Sequence, residues 1–201
     1  MLADLNSGQW EDLNWLNAID AVFGDLYFDA IRAAIDNMDR LPHAWRPLFE
    51  ARQNRRLARV QFALAGMNAH INRDLCHSLV RMASSRNSFP KRSSGVYKDF
   101  CRVNLILERA EAKALEFLST GLVGLVDEAL GDIDNILAMW SVKRAREAAW
   151  VSAEVLWYLR RSPFLAEQYS ARLDRITGFG GRGLLQPVLR GDNLSRSAVT
   201  G

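Results

Sequence analysis

Residues 60–82 read VQFALAGMNAHINRDLCHSLVRM, and this stretch carries the strongest structural signal in the chain. Its apolar side chains recur at spacings of three and four residues: Val60, Leu64, Met67, Ile71, Leu75, Leu79 and Met82. This spacing puts them on one face of an amphipathic helix, which we expect to run from about Leu48 to Ser84. The alternation of apolar and polar residues that is typical of strands is nearly absent. The sequence therefore predicts an all-α protein.

Further helical stretches lie on both sides of this one. The same periodicity predicts helices over about Trp10–Met38, Val96–Leu118, Asp132–Arg161 and Pro163–Ile176, the first of them with Ser7 as its N-cap. The segment Ser85–Gly95 is rich in Ser, Arg, Pro and Gly, which predicts a loop and a candidate mobile flap. Helices joined by short connections favour a single-domain bundle of about five to seven helices.

The C-terminal part is rich in glycine. Gly178, Gly180 and Gly183 match the GxGxxG pattern of dinucleotide-binding loops. That chemistry needs a strand before the glycines and a helix after them, and here a helix precedes them, so we expect no nucleotide site. We expect the helical domain to cover residues 1–185, with a poorly ordered tail at 186–201.

Composition narrows the function classes. The chain has 201 residues, of which 49% are hydrophobic, so it can bury a sizeable core. The net charge of +3 gives no indication of a nucleic-acid partner. Cys76 and Cys101 lie among apolar residues and are expected to be buried free thiols.

The N-terminus lacks the order of a signal peptide and no apolar run could span a bilayer, so we expect a cytoplasmic protein without a membrane partner. The oligomeric state stays open.

Several polar residues share a face with the apolar stripe of the long helix. Asn68 lies near the middle of the buried side, with Asn72 on one edge and Asp74 on the other. His70 lies beyond Asp74, and His77 follows one turn later. Because Asn and Asp are weak helix formers, helix propensity does not explain their positions.

Three other helices also place polar groups near the interior. In the first helix, Asp20 falls within a stripe formed by Leu13, Leu16, Phe23, Tyr27, Ile31 and Ala34. In the late helix, Arg144 falls near the centre of a stripe formed by Ile133, Leu137, Trp140, Ala148, Val151, Val155 and Tyr158. Between them, Asn104 lies at the margin of a stripe and Glu108 further round. Buried charges must be balanced, so we expect Arg144 to lie opposite Asp20 and Asp74.

These residues lead to a first functional hypothesis, an enzyme with a buried acid–base pocket. His70 and Asp74 are four residues apart on one helix face, which suits a general base, and Asp20 completes the predicted catalytic set. Predicted substrate-binding residues are Asn68, Asn72, Arg144, Trp140, Tyr27 and Glu108. The expected reaction is of the cyclase, isomerase or hydrolase type on a small, partly apolar metabolite, with no cofactor and no metal.

Three alternatives stay open. A metal-dependent enzyme would use His70 and Asp74 with His77, Asp20 or Glu108, but only two of these are defensible ligands and zinc usually takes three or more. A non-catalytic ligand-binding or interaction protein would present Trp10, Trp15 and Trp45 as a partner surface. A satisfied polar network that only fixes helix register is the structural alternative.

Three segments carry a resemblance to a known family. Residues 65–75 read AGMNAHINRDL, residues 140–150 read WSVKRAREAAW, and residues 173–185 run from LDR to GRGLL. Together they resemble the conserved blocks of a mainly bacterial, all-helical family known only as a domain of unknown function. Members of that family often have a proline after the Asp–Leu pair, where this chain has Cys76, so we expect the local helix geometry to differ from theirs. The resemblance implies a shared helical fold and brings no activity with it.

Overall fold

A computed structural model describes residues 10–120 and 141–187, without the side chains of residues 108, 111, 112 and 114–120. These residues are predominantly helical, and no strand occurs among them, which confirms the all-α prediction. The helices are α1 (Leu13–Asp36), α2 (Arg46–Ala51), α3 (Arg59–Ala69), α4 (Cys76–Ser85), α5 (Gly95–Thr120), α6 (Val142–Leu159) and α7 (Pro163–Leu184). A π-helical turn, His70–Leu75, joins α3 to α4. Within the described ranges, no helix is both long and apolar enough to cross a bilayer.

The start of α1 is fixed by two carboxylates. Asp12 is the N-cap, and its side chain accepts a hydrogen bond from the backbone N–H of Trp15 at 2.9 Å. Asp99 of α5 is fully buried and accepts hydrogen bonds from the backbone N–H groups of Glu11 and Asp12 at 2.9 and 2.8 Å. Negative charge at a helix N-terminus is favourable, so Asp99 fastens α5 to the start of α1. The predicted cap, Ser7, lies outside the described residues.

The long helix predicted over Leu48–Ser84 is interrupted. Turns separate α2 from α3, and Gln61 closes the start of α3 by accepting a hydrogen bond from the backbone N–H of Ala58 at 2.9 Å. The amide nitrogen of Gln61 also donates to the carbonyl oxygens of Leu184 and Gln186 at 2.9 and 2.8 Å. A single buried glutamine therefore ties the start of α3 to the end of α7.

The main core lies where α1, α4, α5 and α6 meet, around the side chains of Trp15, Phe100 and Trp150. A second cluster surrounds Trp45. Trp15 and Trp45 are each only 1% exposed, so the hypothesis of a tryptophan partner surface is wrong for both.

One glycine of α7, Gly178, allows a close approach of two backbones. The prediction that helix ends near Ile176 is wrong, because α7 continues through the glycines to Leu184. A Cβ atom added at Gly178 would lie 2.3 Å from the carbonyl oxygen of His43, so only glycine permits this approach of two backbones. The GxGxxG pattern therefore lies inside a helix. The predicted tail falls almost entirely outside the described residues.

The loop predicted to be a mobile flap is anchored on α6. Phe89 packs against the rings of Trp150 and Trp157. Arg92 forms ion pairs with Glu147 at 2.6 Å and Glu154 at 2.9 Å. These contacts give the loop a defined position over the core tryptophans.

Candidate functional site

Three of the predicted polar residues of the long helix, His70, Asn72 and Asp74, fall on its π-helical turn. In a π turn the hydrogen bonds run from residue i to i+5, which is rare and usually confined to a single turn. The sequence contains a sign of the π turn, because the apolar residues Met67, Ile71, Leu75 and Leu79 are separated by three successive steps of four residues. In an ideal α-helix three such steps rotate the face by about 120°. The wider π turn absorbs this rotation, and Ile71, Leu75 and Leu79 are all buried.

Asp74 is the most enclosed polar group of this turn, with no exposed surface. Its Oδ2 accepts a hydrogen bond from the indole N–H of Trp45 at 3.0 Å and lies 3.1 Å from Nδ1 of His70. Its Oδ1 pairs with Nη1 of Arg73. The predicted proximity of His70 and Asp74 is therefore confirmed, and the partner cation of Asp74 is Arg73 instead of the predicted Arg144.

Arg73 links the π turn to α7. Its Nε lies 3.1 Å from Oδ1 of Asp174. Asp174 in turn accepts hydrogen bonds from the backbone N–H groups of His43 and Ala44 at 2.8 and 3.0 Å. One arginine between two carboxylates balances much of the buried negative charge. Sequence reasoning missed this arrangement, because the only local signal was the adjacency of Arg73 and Asp74.

The imidazole of His70 is held on one face and one edge. It stacks on the ring of Phe23 with a centroid distance of 3.6 Å and an interplanar angle of 7°. The rings of Tyr27 and Trp45 lie 5.6 and 6.0 Å away. Because the Asp74 carboxylate accepts, Nδ1 of His70 carries the proton, which leaves Nε2 as the basic nitrogen of the neutral ring. Nε2 has no hydrogen-bond partner in the described part of the chain, and the side chain is 24% exposed.

His77 contrasts with His70, although it lies only one turn further on. Its Nδ1 donates to the carbonyl oxygen of Arg73 at 2.8 Å, and its Nε2 accepts from the hydroxyl of Ser170 at 2.9 Å. Burial lowers the pKa of His77 below its ordinary value. Both nitrogens are thus committed to a structural network, and the ring is held neutral.

Asn68 and Asn72 form a second polar group on the same helix. Asn68 is buried, and its amide donates to the carbonyl oxygen of Thr177 at 2.8 Å. Asn72 donates to Oδ1 of Asn68 at 3.0 Å. The inward position predicted for Asn68 is confirmed. Its hydrogen bonds go to α7 and to Asn72, so a substrate-binding role for either residue stays a prediction.

The inward-facing arginine of α6 is Arg146, and the prediction of Arg144 is wrong. Arg144 is exposed, whereas Arg146 is 7% exposed. Ser141 has extended backbone angles and caps the start of α6, accepting a hydrogen bond from the N–H of Arg144. A stripe whose phase is carried across this break from Ile133 therefore points the wrong way. Accordingly Val151 and Tyr158 are exposed, while the neighbouring tryptophans Trp150 and Trp157 are buried.

Arg146 lines a cavity of about 470 Å³ between α1, α5 and α6. Its apolar walls include Leu16, Phe23, Leu75, Phe100, Val103 and Leu107. Asp20 also lines this cavity, but it is an exposed residue, so its predicted position inside the core is wrong. The buried residues of α1 include Trp15, Ile19 and Leu26, which the predicted stripe did not contain. The predicted stripe is therefore displaced around the helix from the face that is buried.

The structure thus divides the predicted site into separate groups. His70, Asp74 and Tyr27 lie together, Asn68 and Asn72 lie together, and Asp20 lies on the cavity with Arg146. The predicted residue Trp140 lies outside the described residues, and the side chain of Glu108 is not among those described. Among the residues that are described, no three His, Cys, Asp or Glu side chains are arranged to hold a metal ion.

Comparisons with known proteins give one match. A family model with the description "Family of unknown function (DUF5995)" matches residues 1–187. The curated proteins and the solved structures contain no match to the chain. The family match covers every helix described above.

Proposed function

The chain belongs to DUF5995, a family of unknown function, and we propose that it is an enzyme that moves a proton on a small, partly apolar metabolite, with His70 as the acid–base group. The reaction is of the isomerase, cyclase or hydrolase type. The observation that carries the proposal is the contact of 3.1 Å between Nδ1 of His70 and the fully buried carboxylate of Asp74.

Asp74 prepares His70 for proton transfer in two ways. As an acceptor it holds the proton on Nδ1 and so leaves the lone pair of Nε2 for a substrate proton. When Nε2 takes that proton, the carboxylate stabilises the imidazolium that forms. Trp45 also donates to the oxygen that faces His70 and Arg73 holds the other oxygen, so the carboxylate cannot turn away from the ring. Asp74 acts through His70 and is a positioning residue.

The surroundings of His70 suit a substrate with an apolar part. Phe23 covers one face of the imidazole, and the half-exposed ring of Tyr27 lies beside it. Aromatic walls with few polar groups are typical of sites that bind small, partly apolar molecules. His70 also has a ring nitrogen without a partner in the described part of the chain, whereas His77, one turn further on, uses both of its own.

The proposal is tested by turnover in deuterated water. Purified protein is incubated in D₂O with a small-molecule cell extract, and mass spectrometry follows metabolites that are converted or that gain deuterium. We expect such a metabolite with the wild-type protein and with His43→Gln, because His43 is exposed and no side-chain hydrogen bond of its ring occurs in the described part. We expect loss of the activity by at least about 100-fold in His70→Gln, since general acid–base groups contribute about 10²–10⁴-fold.

A second measurement needs no substrate. Proton–nitrogen correlation spectra of the neutral imidazole should show Nδ1 of His70 protonated and Nε2 bare, and Asp74→Asn should shift this tautomer balance. An Nε2-protonated ring in the wild-type protein, or full turnover by His70→Gln, would rule out His70 as the base.

A further inference from the structure

We propose that the cavity between α1, α5 and α6 binds a monocarboxylate with a small apolar body, and that Arg146 holds the carboxylate. This site is distinct from the one around His70. Phe23 separates the two, because one of its faces stacks on His70 while its ring also forms part of the cavity wall.

The first argument is the charge of Arg146. The guanidinium donates from Nε to Oδ1 of Asn104 at 2.6 Å and from Nη2 to the carbonyl oxygen of Phe100 at 3.2 Å. Its central carbon lies 4.2 Å from the ring centroid of Phe100. All these partners are neutral, and no carboxylate of the described residues lies within ion-pair distance. A buried charge without a counter-charge is costly, so an incoming anion gains by pairing with it.

The second argument is the set of donors left unused. A guanidinium has five N–H donors, and Arg146 uses two of them within the described part of the chain. The unused donors on Nη1 and Nη2 form the edge that binds a carboxylate through two parallel hydrogen bonds. Burial lowers the pKa of Arg146 to about 10, so the side chain is still charged at neutral pH.

The remaining cavity wall determines the class of ligand. The volume of about 470 Å³ suits a small molecule, and most of the lining side chains are apolar. The indole N–H of Trp10, also on the wall, is buried and has no hydrogen-bond partner among the described residues. Asp20 lines the same cavity and raises the pKa of Arg146 through its charge. That carboxylate would repel a second anionic group, which favours monocarboxylates over dicarboxylates.

The test uses octanoate as the probe, with octanol and suberate as its neutral and doubly charged counterparts. Binding is measured by calorimetry on the wild-type chain and on Arg146→Met, with Arg144→Met as the matched control on the exposed side of the same helix. We expect saturable octanoate binding that weakens at least about tenfold in Arg146→Met, as loss of a charge-assisted pair requires, and is unchanged in Arg144→Met. Octanol and suberate should each bind more weakly than octanoate to the wild-type chain.

A second variant leaves Arg146 in place. Asp20→Asn removes the nearby negative charge, so octanoate affinity should rise by about two- to fivefold and the discrimination against suberate should shrink. His70→Gln should leave octanoate affinity unchanged, which separates this site from the proposed proton-transfer site. Absence of saturable octanoate binding, equal affinity in Arg146→Met, or no gain in Asp20→Asn would each overturn the proposal.

Discussion

Two buried charged groups in this protein have opposite surroundings. Asp74 is fully enclosed and is met by the indole N–H of Trp45, the imidazole of His70 and the guanidinium of Arg73. Arg146 is nearly as enclosed, but its hydrogen-bond partners are the neutral acceptors on Asn104 and Phe100, and it borders a cavity. The first charge is balanced by direct contacts within the protein, and the second has no carboxylate of the described residues within ion-pair distance and feels the more distant charge of Asp20.

This difference teaches that burial alone does not assign a role to a charged residue. A charge whose partners are complete within the fold holds helices together and orients its neighbours, as Asp74 orients His70. A charge with neutral partners and an open edge adds little to the stability of the fold and is available to a ligand. The two residues should therefore respond very differently to substitution.

The largest effect is expected on unfolding free energy. Asp74→Asn removes one of the two carboxylates that Arg73 pairs with and leaves a buried amide among the donors of Trp45, His70 and Arg73, so we expect a loss of about 3 kcal/mol. Arg146→Met removes a charge that had no described counter-charge, and we expect the free energy of unfolding to stay within about 1 kcal/mol of wild type. Urea denaturation of the two variants measures both values. Equal losses in the two would show that the contrast between the two groups is wrong.

A smaller effect is expected on the pH dependence of stability, through His77, which is hydrogen-bonded to the backbone of Arg73 beside Asp74. Because burial lowers its pKa in the folded state, the unfolded chain takes up this proton first as pH falls below about 6.5. The contribution of His77 to the free energy of unfolding is therefore fully present above that pH. It is lost as the pH falls toward the pKa of His77 in the folded state, by at most about 1.4 kcal/mol per pH unit. Denaturation between pH 7.5 and 5.5 should show a shallower decline for His77→Gln than for wild type. Parallel declines would mean that His77 is free to take up a proton in the fold.

The smallest effect involves thiol reactivity and leaves stability unchanged. Cys76, directly after the π turn, is fully buried, and burial raises the pKa of its thiol to about 12. Cys101 is half-buried on α5 and close enough to Arg146 to influence the pKa of that residue. With a thiol-specific disulfide reagent at pH 8, the native protein should react at one cysteine and the denatured protein at both. Cys101→Ser should remove the native reaction, and reaction of Cys76 in that variant would contradict the closed packing.

The sequence predicted those interactions that join residues close together in the chain. The helical fold and the pairing of His70 with Asp74 depend on spacings within one or two turns, and these predictions are confirmed. The partners that come from distant parts of the chain were missed, because no spacing relates Asp99 to Glu11 or Arg73 to Asp174.

Other errors came from carrying a helical phase too far. Arg144 was predicted to face inward in place of Arg146 because the apolar stripe was extended through Ser141, whose extended backbone interrupts the helical spacing. Cys101 was expected to be buried and is half-buried, since apolar neighbours in sequence do not show which face a helix turns inward. The last helix was predicted to end near Ile176 because glycine disfavours helix, yet α7 continues through Gly178, whose contact with the His43 backbone outweighs that preference.

The π turn also has a consequence for comparing related chains. A π turn holds one residue more than the α-helix around it, so deleting one residue between His70 and Leu75 would restore ordinary helical bonding. Because the wider turn already absorbs this extra residue, α4 would keep its place beyond the deletion, and only the side chains within the turn would change direction, which would separate Asp74 from its present neighbours. In sequence alignments, a one-residue gap at this turn is therefore the expected mark of a relative that has lost the histidine–carboxylate pair.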